Sequence, residues 1–203
     1  MAKEKSSALK NIIVLFVVAV ISVSILAVLN QITAEPIAVA EANAKAAVYK
    51  NVYSQAADVA EIENLEALLN SYTPINADIT INAALEAKDD SGNTIGHVID
   101  ATSPNGYGGD VQIAIGITND GEITAFSVIS ASETPGLGAK ASEDEFASQF
   151  TGLKATEIAF SKTGANRDIN EIDAISGATI TTTAVTQAVN EAISFYNNVL
   201  KGE

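Results

Sequence analysis

The strongest feature of the hydrophobic pattern is one uninterrupted apolar run near the N-terminus. Eighteen residues from Ile12 to Leu29 carry no charge and only two serines. As a helix, such a run rises about 27 Å, close to the roughly 30 Å hydrocarbon core of a membrane. A secretory signal peptide has a shorter apolar region of about 7–15 residues, and the following stretch 32–34 is a poor cleavage site. The run therefore predicts a retained transmembrane helix over residues 12–29.

The charges that flank this run predict its orientation. Lys3, Lys5 and Lys10 precede it, whereas Glu35 and Glu41 follow it. Because basic residues are enriched on the cytoplasmic side of membrane helices, we expect the N-terminal eleven residues in the cytoplasm and the remainder outside. The pattern predicts a single-pass protein of the cell membrane with an extracytoplasmic domain.

Two kinds of periodicity follow the anchor. Up to Tyr72, apolar residues recur at spacings of three and four, which predicts helices in residues 30–76, either as a stalk or as a hairpin that caps a core. Strand-like alternation begins near Ile79 and is clearest in a hairpin, in which 111–117 and 123–129 flank a turn at 119–121. The other predicted elements are a strand at 94–99, a loop at 132–140, a helix at 143–150, a strand at 158–162 and a helix at 183–200. Strand pairs without regular βαβ alternation predict an α+β domain over residues 77–203, with antiparallel strands and flanking helices.

Composition and charge exclude several classes of function. The chain has a net charge of −14; beyond residue 29, eight basic and twenty-four acidic residues leave −16. An acidic surface repels phosphate backbones, so we expect no nucleic-acid partner. The absence of Cys excludes disulfides, iron–sulfur ligation and a thiol nucleophile, and the single histidine, His97, disfavours a zinc site or a His-based triad. We therefore predict neither a metal site nor a catalytic residue.

Two polar segments are candidates for ligand binding. The first, Asp173–Thr179, precedes the last predicted helix and is followed by three further threonines. Gly177 allows close backbone approach, and unpaired N–H groups at a helix start suit a phosphate; alternatively, one threonine only caps the helix. The second, Glu133–Gly138, places one leucine between two glycines after a proline. Such a loop can approach a planar ligand, or it is an ordinary connection.

Taken together, the two segments resemble the paired signatures of the FMN-binding domain family. In order and spacing they are similar to those of the G subunit of Rnf-type ferredoxin:NAD oxidoreductase complexes, and of the C subunit of the sodium-translocating NADH:quinone reductase. The resemblance covers roughly residues 79–200 and includes 106–109, the hairpin that follows, Phe146, Phe150 and Lys162. One departure is that Ala131 and Ser132 precede the loop where many relatives have a histidine.

The resemblance implies a covalent flavin. Thr179 matches the threonine that forms a phosphoester with FMN, a bond made by a separate flavin transferase that uses FAD and magnesium. The residues before it match the recognition sequence of that transferase, and the 134–138 loop matches a segment that lies against the isoalloxazine, with Leu137 as an apolar contact. Lys162 matches a lysine near the flavin. The cofactor-binding residues that the resemblance implies are Thr179, Ser176, Gly177, Ala178, Asp173, Glu133, Thr134, Pro135, Gly136, Leu137, Gly138 and Lys162.

The function that the resemblance implies is electron transfer within a membrane complex. The chain would carry one flavin outside the membrane, while its partner subunits couple electron transfer from ferredoxin to NAD to the export of sodium or protons. The C subunit of a quinone reductase is the alternative within the family, although the short chain favours the Rnf-type G subunit. A pilin-like surface protein is an alternative from another class, but pilins carry a Glu inside the apolar helix, and the run from Ile12 to Leu29 has none. A lipid-anchored solute-binding protein requires a Cys, which is absent.

Overall fold

The computed structural model describes the backbone of residues 2–201 and the side chains of residues 10–201. The chain forms two compact units that divide between Ala44 and Lys45. The first unit is helical and belongs to α1 (Ala2–Val52), which is long and apolar enough to cross a membrane. The large apolar side chains of the predicted anchor each expose about half of their surface or more. The side chains of Lys3 and Lys5, which predicted the orientation, lie outside the described residues.

The second unit is built on a five-stranded antiparallel sheet in which each strand pairs with the next along the chain. Two of its reversals are tight turns: Gly92 and Gly121 adopt φ angles of +83° and +75°, which a residue without a Cβ tolerates. The predicted 111–117 and 123–129 hairpin is present in the register Ile113 to Val128 and Ile115 to Phe126. The strands are β1 (Asp58–Glu61), β2 (Thr80–Lys88), β3 (Thr94–Ser103), β4 (Val111–Thr118) and β5 (Ile123–Ala131).

Shorter elements complete this unit. They are α2 (Leu65–Ser71), α3 (Asp144–Ala147), β6 (Ala159–Ser161), β7 (Glu171–Asp173) and α4 (Thr179–Phe195), with 3₁₀ turns at Gly138–Ser142, Ser148–Phe150 and Arg167–Ile169. Strands β6 and β7 pair in parallel. A π-helical turn, Tyr196–Leu200, extends α4.

Helices cover both faces of the sheet. On one face, the alternating side chains Val111, Ile113, Ile115 and Ile117 of β4 are fully buried in the cluster that includes the apolar side of α4. On the other face, a second cluster joins the last turn of α1 to the sheet. Burying each large aliphatic side chain stabilises the fold by roughly 1.5–3 kcal/mol. This two-sided burial confirms the α+β class.

The structure corrects several predicted elements. The last helix begins at Thr179 rather than at residue 183, and the stretch expected to be helical up to Tyr72 contains strand β1. Strand β7 was not predicted. The helix expected at 143–150 is one short turn, α3, followed by a 3₁₀ turn that ends at Phe150. Phe150 is fully buried and stacks on Phe126 with ring centroids 4.4 Å apart, so side-chain packing rather than helix length holds this segment.

Candidate functional site

The two candidate segments, about forty residues apart in sequence, meet at one cavity of about 500 Å³. One wall is the loop after β5, and the opposite wall is the start of α4. The loop between β3 and β4 supplies a third side. The residues that line the cavity are Tyr107, Glu133, Thr134, Leu137, Gly138, Gly177, Ala178, Thr179, Ile180 and Thr181.

Glycines shape the walls of this cavity. Gly136 and Gly177 both have φ +76°, a conformation that L side chains rarely adopt. A Cβ at Gly177 would lie 3.2 Å from Cδ2 of Leu137, so the absence of a side chain lets the two segments approach each other. Gly177 therefore has a conformational role at the cavity, and Gly136 has one within the loop that forms the other wall.

The start of α4 presents unpaired backbone donors. Ala178 is the N-cap, with φ −130° and ψ 49°, and no side chain caps the helix. The first helical hydrogen bond runs from the N–H of Thr182 to the carbonyl oxygen of Ala178, 3.0 Å away. The N–H groups of residues 179–181 precede this bond, and such groups have no partner within a helix. The expectation that a threonine caps this helix is therefore wrong, and the positive end of the helix dipole lies at the cavity wall.

Hydrogen bonding distinguishes the five hydroxyls of this segment. Thr181 donates to Glu133 Oε2 over 2.8 Å, and Thr183 donates to the carbonyl oxygen of Thr179 over 2.8 Å. Thr182 accepts from the N–H of Ile175 and donates to the carbonyl oxygen of Ala178. In the described part of the chain, neither the partly buried Thr179 nor the exposed Ser176 has a side-chain hydrogen bond. Of these two, only Thr179 lines the cavity.

The structure separates the predicted site residues into groups. Seven line the cavity: Glu133, Thr134, Leu137, Gly138, Gly177, Ala178 and Thr179. Asp173 and Ser176 line a neighbouring cavity of about 350 Å³ instead. Pro135 and Gly136 lie in the same loop but do not line the cavity, and Lys162 is exposed and lines neither cavity.

Asp173 has a structural role in this arrangement. Its Oδ1 accepts a hydrogen bond of 2.8 Å from the N–H of Ala165, and its own N–H donates to Oε1 of Gln149 over 2.6 Å. The side chain therefore holds the 162–166 loop against strand β7.

Three residues that line the cavity were not among the predicted site residues. Tyr107 is 72% exposed in the glycine-rich loop between β3 and β4, Ile180 is 53% exposed, and Thr181 is buried. The signal for Tyr107 was present, since a large aromatic side chain between glycines, outside any apolar alternation, is unsuited to a core position. The exposed side chains of Tyr107 and Ile180, together with Leu137, which is 43% exposed, give the cavity an apolar rim.

The model of the FMN-binding domain family matches residues 106–194, which include both candidate segments, and the model of the RnfG N-terminal region matches residues 1–52. The chain therefore belongs to the class of proteins with an FMN-binding domain.

Curated relatives narrow the class to one family. The G subunit of the Na(+)-translocating ferredoxin:NAD(+) oxidoreductase complex of Acetobacterium woodii is 33% identical over 192 residues, covering 93% of this chain and 91% of the relative. The G subunit of the ion-translocating oxidoreductase complex of Methanosarcina acetivorans is 30% identical over 187 residues, covering 92% and 93%. The chain belongs to the RnfG family, the G subunits of Rnf-type oxidoreductase complexes.

A solved structure supports the fold. The C subunit of the Na(+)-translocating NADH-quinone reductase of Parabacteroides distasonis has a TM-score of 0.51 and 24% identity, covering 60% of this chain and 63% of that one.

Proposed function

We propose that this chain is the flavin-bearing electron-transfer subunit of an Rnf-type membrane complex, with FMN attached covalently to Thr179. The observation that carries the proposal is the position and the hydrogen bonding of the Thr179 hydroxyl. It lies at the cavity wall without a hydrogen-bond partner among the described residues, whereas its neighbours Thr181, Thr182 and Thr183 are engaged. Composition alone cannot choose among these hydroxyls, and the hydrogen bonds favour the residue that the family resemblance selects.

The backbone around Thr179 suits a phosphate. The N–H groups of residues 179–181 precede the first helical bond of α4, and the dipole of this 17-residue helix favours negative charge at its start. Because the chain is acidic overall, with a net charge of −14, a free anion gains nothing from the general field of the protein. A covalent bond at this position removes the need for strong ionic binding.

The cavity also fits the rest of an FMN molecule. Its volume of about 500 Å³ lies within the range of small-molecule sites. Leu137, Ile180 and Tyr107 line it with exposed apolar surface, which suits a flat aromatic ring system. Bound FMN supplies the redox chemistry, since it accepts one or two electrons, and the protein supplies position and electrostatics.

Attachment is a transfer from FAD by a separate flavin transferase with magnesium. The Thr179 oxygen bonds to the flavin-side phosphorus, the pyrophosphate bond breaks, AMP departs, and the hydroxyl proton passes to a base of the transferase. The exposed Ser176 and Asp173 lie in the adjacent cavity, so the proposed recognition sequence remains on the surface.

The apolar helix anchors the chain in the cell membrane beside the other subunits of the complex. The basic N-terminus predicts that residues 30–203 lie outside the cytoplasm. There the protein passes electrons within a complex that couples ferredoxin oxidation and NAD reduction to the export of sodium or protons. The chain is one electron-carrying component of that translocase and is not catalytic alone.

The attachment site is tested by replacing Thr179 in a host that has the transferase. Thr179→Ala is expected to abolish flavin fluorescence in a denaturing gel, because the acceptor oxygen is gone. The fold is expected to survive, since the Thr179 side chain does not cap α4. Thr183→Ala is the matched control: it removes a hydroxyl one turn further along α4 and is expected to stay fluorescent. Fluorescence of the Thr179→Ala chain, or a phosphoester mapped elsewhere by tandem mass spectrometry, would overturn the assignment.

A further inference from the structure

The carboxylate of Glu133 connects three segments that surround the cavity. Oε2 accepts a hydrogen bond of 2.8 Å from the hydroxyl of Thr181, on the first turn of α4. Oε1 accepts one of 3.2 Å from the N–H of Gly108, in the loop between β3 and β4. Glu133 itself follows β5. One side chain therefore joins the loop after β5, the start of α4 and the glycine-rich loop.

Glycines on all sides leave room for this carboxylate. A Cβ at Gly106 would lie 2.7 Å from Oε1 of Glu133. At Gly138, a Cβ would overlap Oε2 and lie 2.5 Å from the hydroxyl oxygen of Thr181. At Gly108, it would overlap the carbonyl oxygen of Ser132. Any side chain at these three glycines would require the carboxylate or its backbone support to move.

The charge of Glu133 does not explain its position. Within the described side chains the ion pairs are Lys88 with Glu86 and Lys154 with Glu122, so no cation accompanies Glu133. A negative charge beside a site for a phosphate opposes binding. What Glu133 contributes to such a site must therefore come from the geometry of its hydrogen bonds.

We infer that Glu133 is a positioning residue for flavin attachment rather than a flavin contact. By holding Thr181, two residues beyond Thr179, it fixes the first turn of α4, and by holding Gly108 it fixes the loop that carries Tyr107. It also accepts the hydroxyl proton of Thr181, whereas the hydroxyl of Thr179 lines the cavity without a hydrogen-bond partner among the described residues. The inference rests on the proposed attachment at Thr179.

The experiment compares two replacements of Glu133 in the full chain in detergent, with purified flavin transferase, FAD and magnesium. Glu133→Gln preserves the bonding geometry without the charge, because the amide oxygen accepts from Gly108 and the amide nitrogen donates to the Thr181 oxygen. We expect its attachment rate to stay within roughly threefold of wild type, whereas Glu133→Ala slows attachment roughly tenfold. Glu157→Ala, at an exposed acid that lines neither of the two cavities, is the matched control and is expected to react at the wild-type rate.

A second measurement does not depend on attachment. In unmodified protein, hydrogen exchange of the Gly108 amide is expected to accelerate in Glu133→Ala but not in Glu133→Gln. Thr181→Val removes the hydrogen bond between Thr181 and Glu133, and it replaces Glu133→Ala in the attachment experiment if that variant does not fold. Attachment to the Thr181→Val chain is expected to be slower than to wild type. If both single variants fold, the double variant Glu133→Ala with Thr181→Val is expected to be slowed by less than the product of the two single effects, because the two residues act as one unit.

The outcomes separate the two proposals. Equal slowing in Glu133→Gln and Glu133→Ala would assign the effect to charge and overturn the positioning role, as would wild-type exchange of Gly108 in Glu133→Ala. Failure of the wild-type chain to accept flavin would instead overturn the proposed function, while the exchange data still decide the role of Glu133.

Discussion

Leu137 and Gly177 meet across the cavity, where Cδ2 of the leucine lies 3.2 Å from the position that a Cβ on the glycine would occupy. Residue 177 also has φ +76°, so an alanine there would be both strained and crowded. This contact brings the two candidate segments together. It makes the glycine a sensitive probe of whether the shape of the cavity matters for attachment.

We expect Gly177→Ala to lower the free energy of unfolding by roughly 1–2 kcal/mol, the cost of a Cβ in a left-handed conformation. Attachment is expected to fall as well, because a Cβ that presses on Leu137 displaces the backbone that leads into Thr179. Gly92→Ala is the matched control, since Gly92 has φ +83° but open space around it. It is expected to lose similar stability, measured by denaturant unfolding, and to keep full attachment. Equal attachment in both variants would contradict a role for the contact.

Replacing Leu137 tests its proposed contact with the flavin ring. We expect Leu137→Ala to leave attachment intact but to shift the visible spectrum or the midpoint potential, because an apolar surface is removed from the cavity wall. Stability is expected to change by no more than about 0.5 kcal/mol, since the side chain is 43% exposed. Ile169→Ala, at a leucine-sized residue that is 63% exposed and outside this cavity, is the control. An unchanged spectrum and potential in Leu137→Ala would argue against contact.

The buried phenol of Tyr72 predicts that the free energy of unfolding of the domain depends on pH. It lies in the core, and its phenol donates a hydrogen bond of 2.8 Å to Oε1 of the fully buried Glu191. Burial, and then the hydrogen bond to Glu191, raise the pKa of Tyr72 from 10.0 to about 12. Between these values the unfolded chain loses the phenolic proton while the folded chain keeps it, so the free energy of unfolding falls as the pH rises.

Thermal unfolding of the full chain in detergent tests this expectation. Tyr72→Phe lacks the ionisable group and is expected to lose stability less steeply than wild type between pH 10 and 12. Tyr107→Phe, at a mostly exposed tyrosine, is expected to follow the wild-type slope. Identical slopes for wild type and Tyr72→Phe would contradict the shifted titration.

The orientation of the chain is tested by proteolysis. If the basic N-terminus faces the cytoplasm, protease added to intact cells with a permeabilised wall is expected to digest residues 30–203. An epitope at the N-terminus is expected to be protected under the same conditions and provides the control. Digestion of the domain only after membrane lysis would reverse the predicted orientation.

The sequence predicted the strands and segments whose side chains follow a simple pattern. In β4, every second residue from Val111 to Ile117 is apolar and buried, so alternation identified the strand. By contrast, β1 is a four-residue edge strand with no alternation, and its place depends on pairing with β2. The first turn of α4 was missed because its threonines do not extend the apolar stripe.

The sequence predicted the parts of the site that lie within one continuous segment, but not the contacts between segments. Motifs near Leu137 and Thr179 identified two walls, but Tyr107 reaches the cavity through the β3–β4 loop, some seventy residues before Thr179. The family resemblance selected Thr179, but composition and local propensity could not distinguish the threonines, since their hydrogen bonds depend on partners such as Glu133 that the fold brings close. Tertiary contact, rather than local propensity, supplied what was missing.

The order of the strands has a consequence for biosynthesis. Each of the five strands pairs with its immediate successor, so the sheet can assemble from local contacts as the polypeptide emerges. The cavity, by contrast, needs α4, which follows all five strands in the chain. A ribosome-bound or truncated chain that lacks α4 therefore has no acceptor site, because Thr179 is the first residue of that helix. Covalent flavin would then mark only molecules in which α4 has been made and has packed beside the loop after β5.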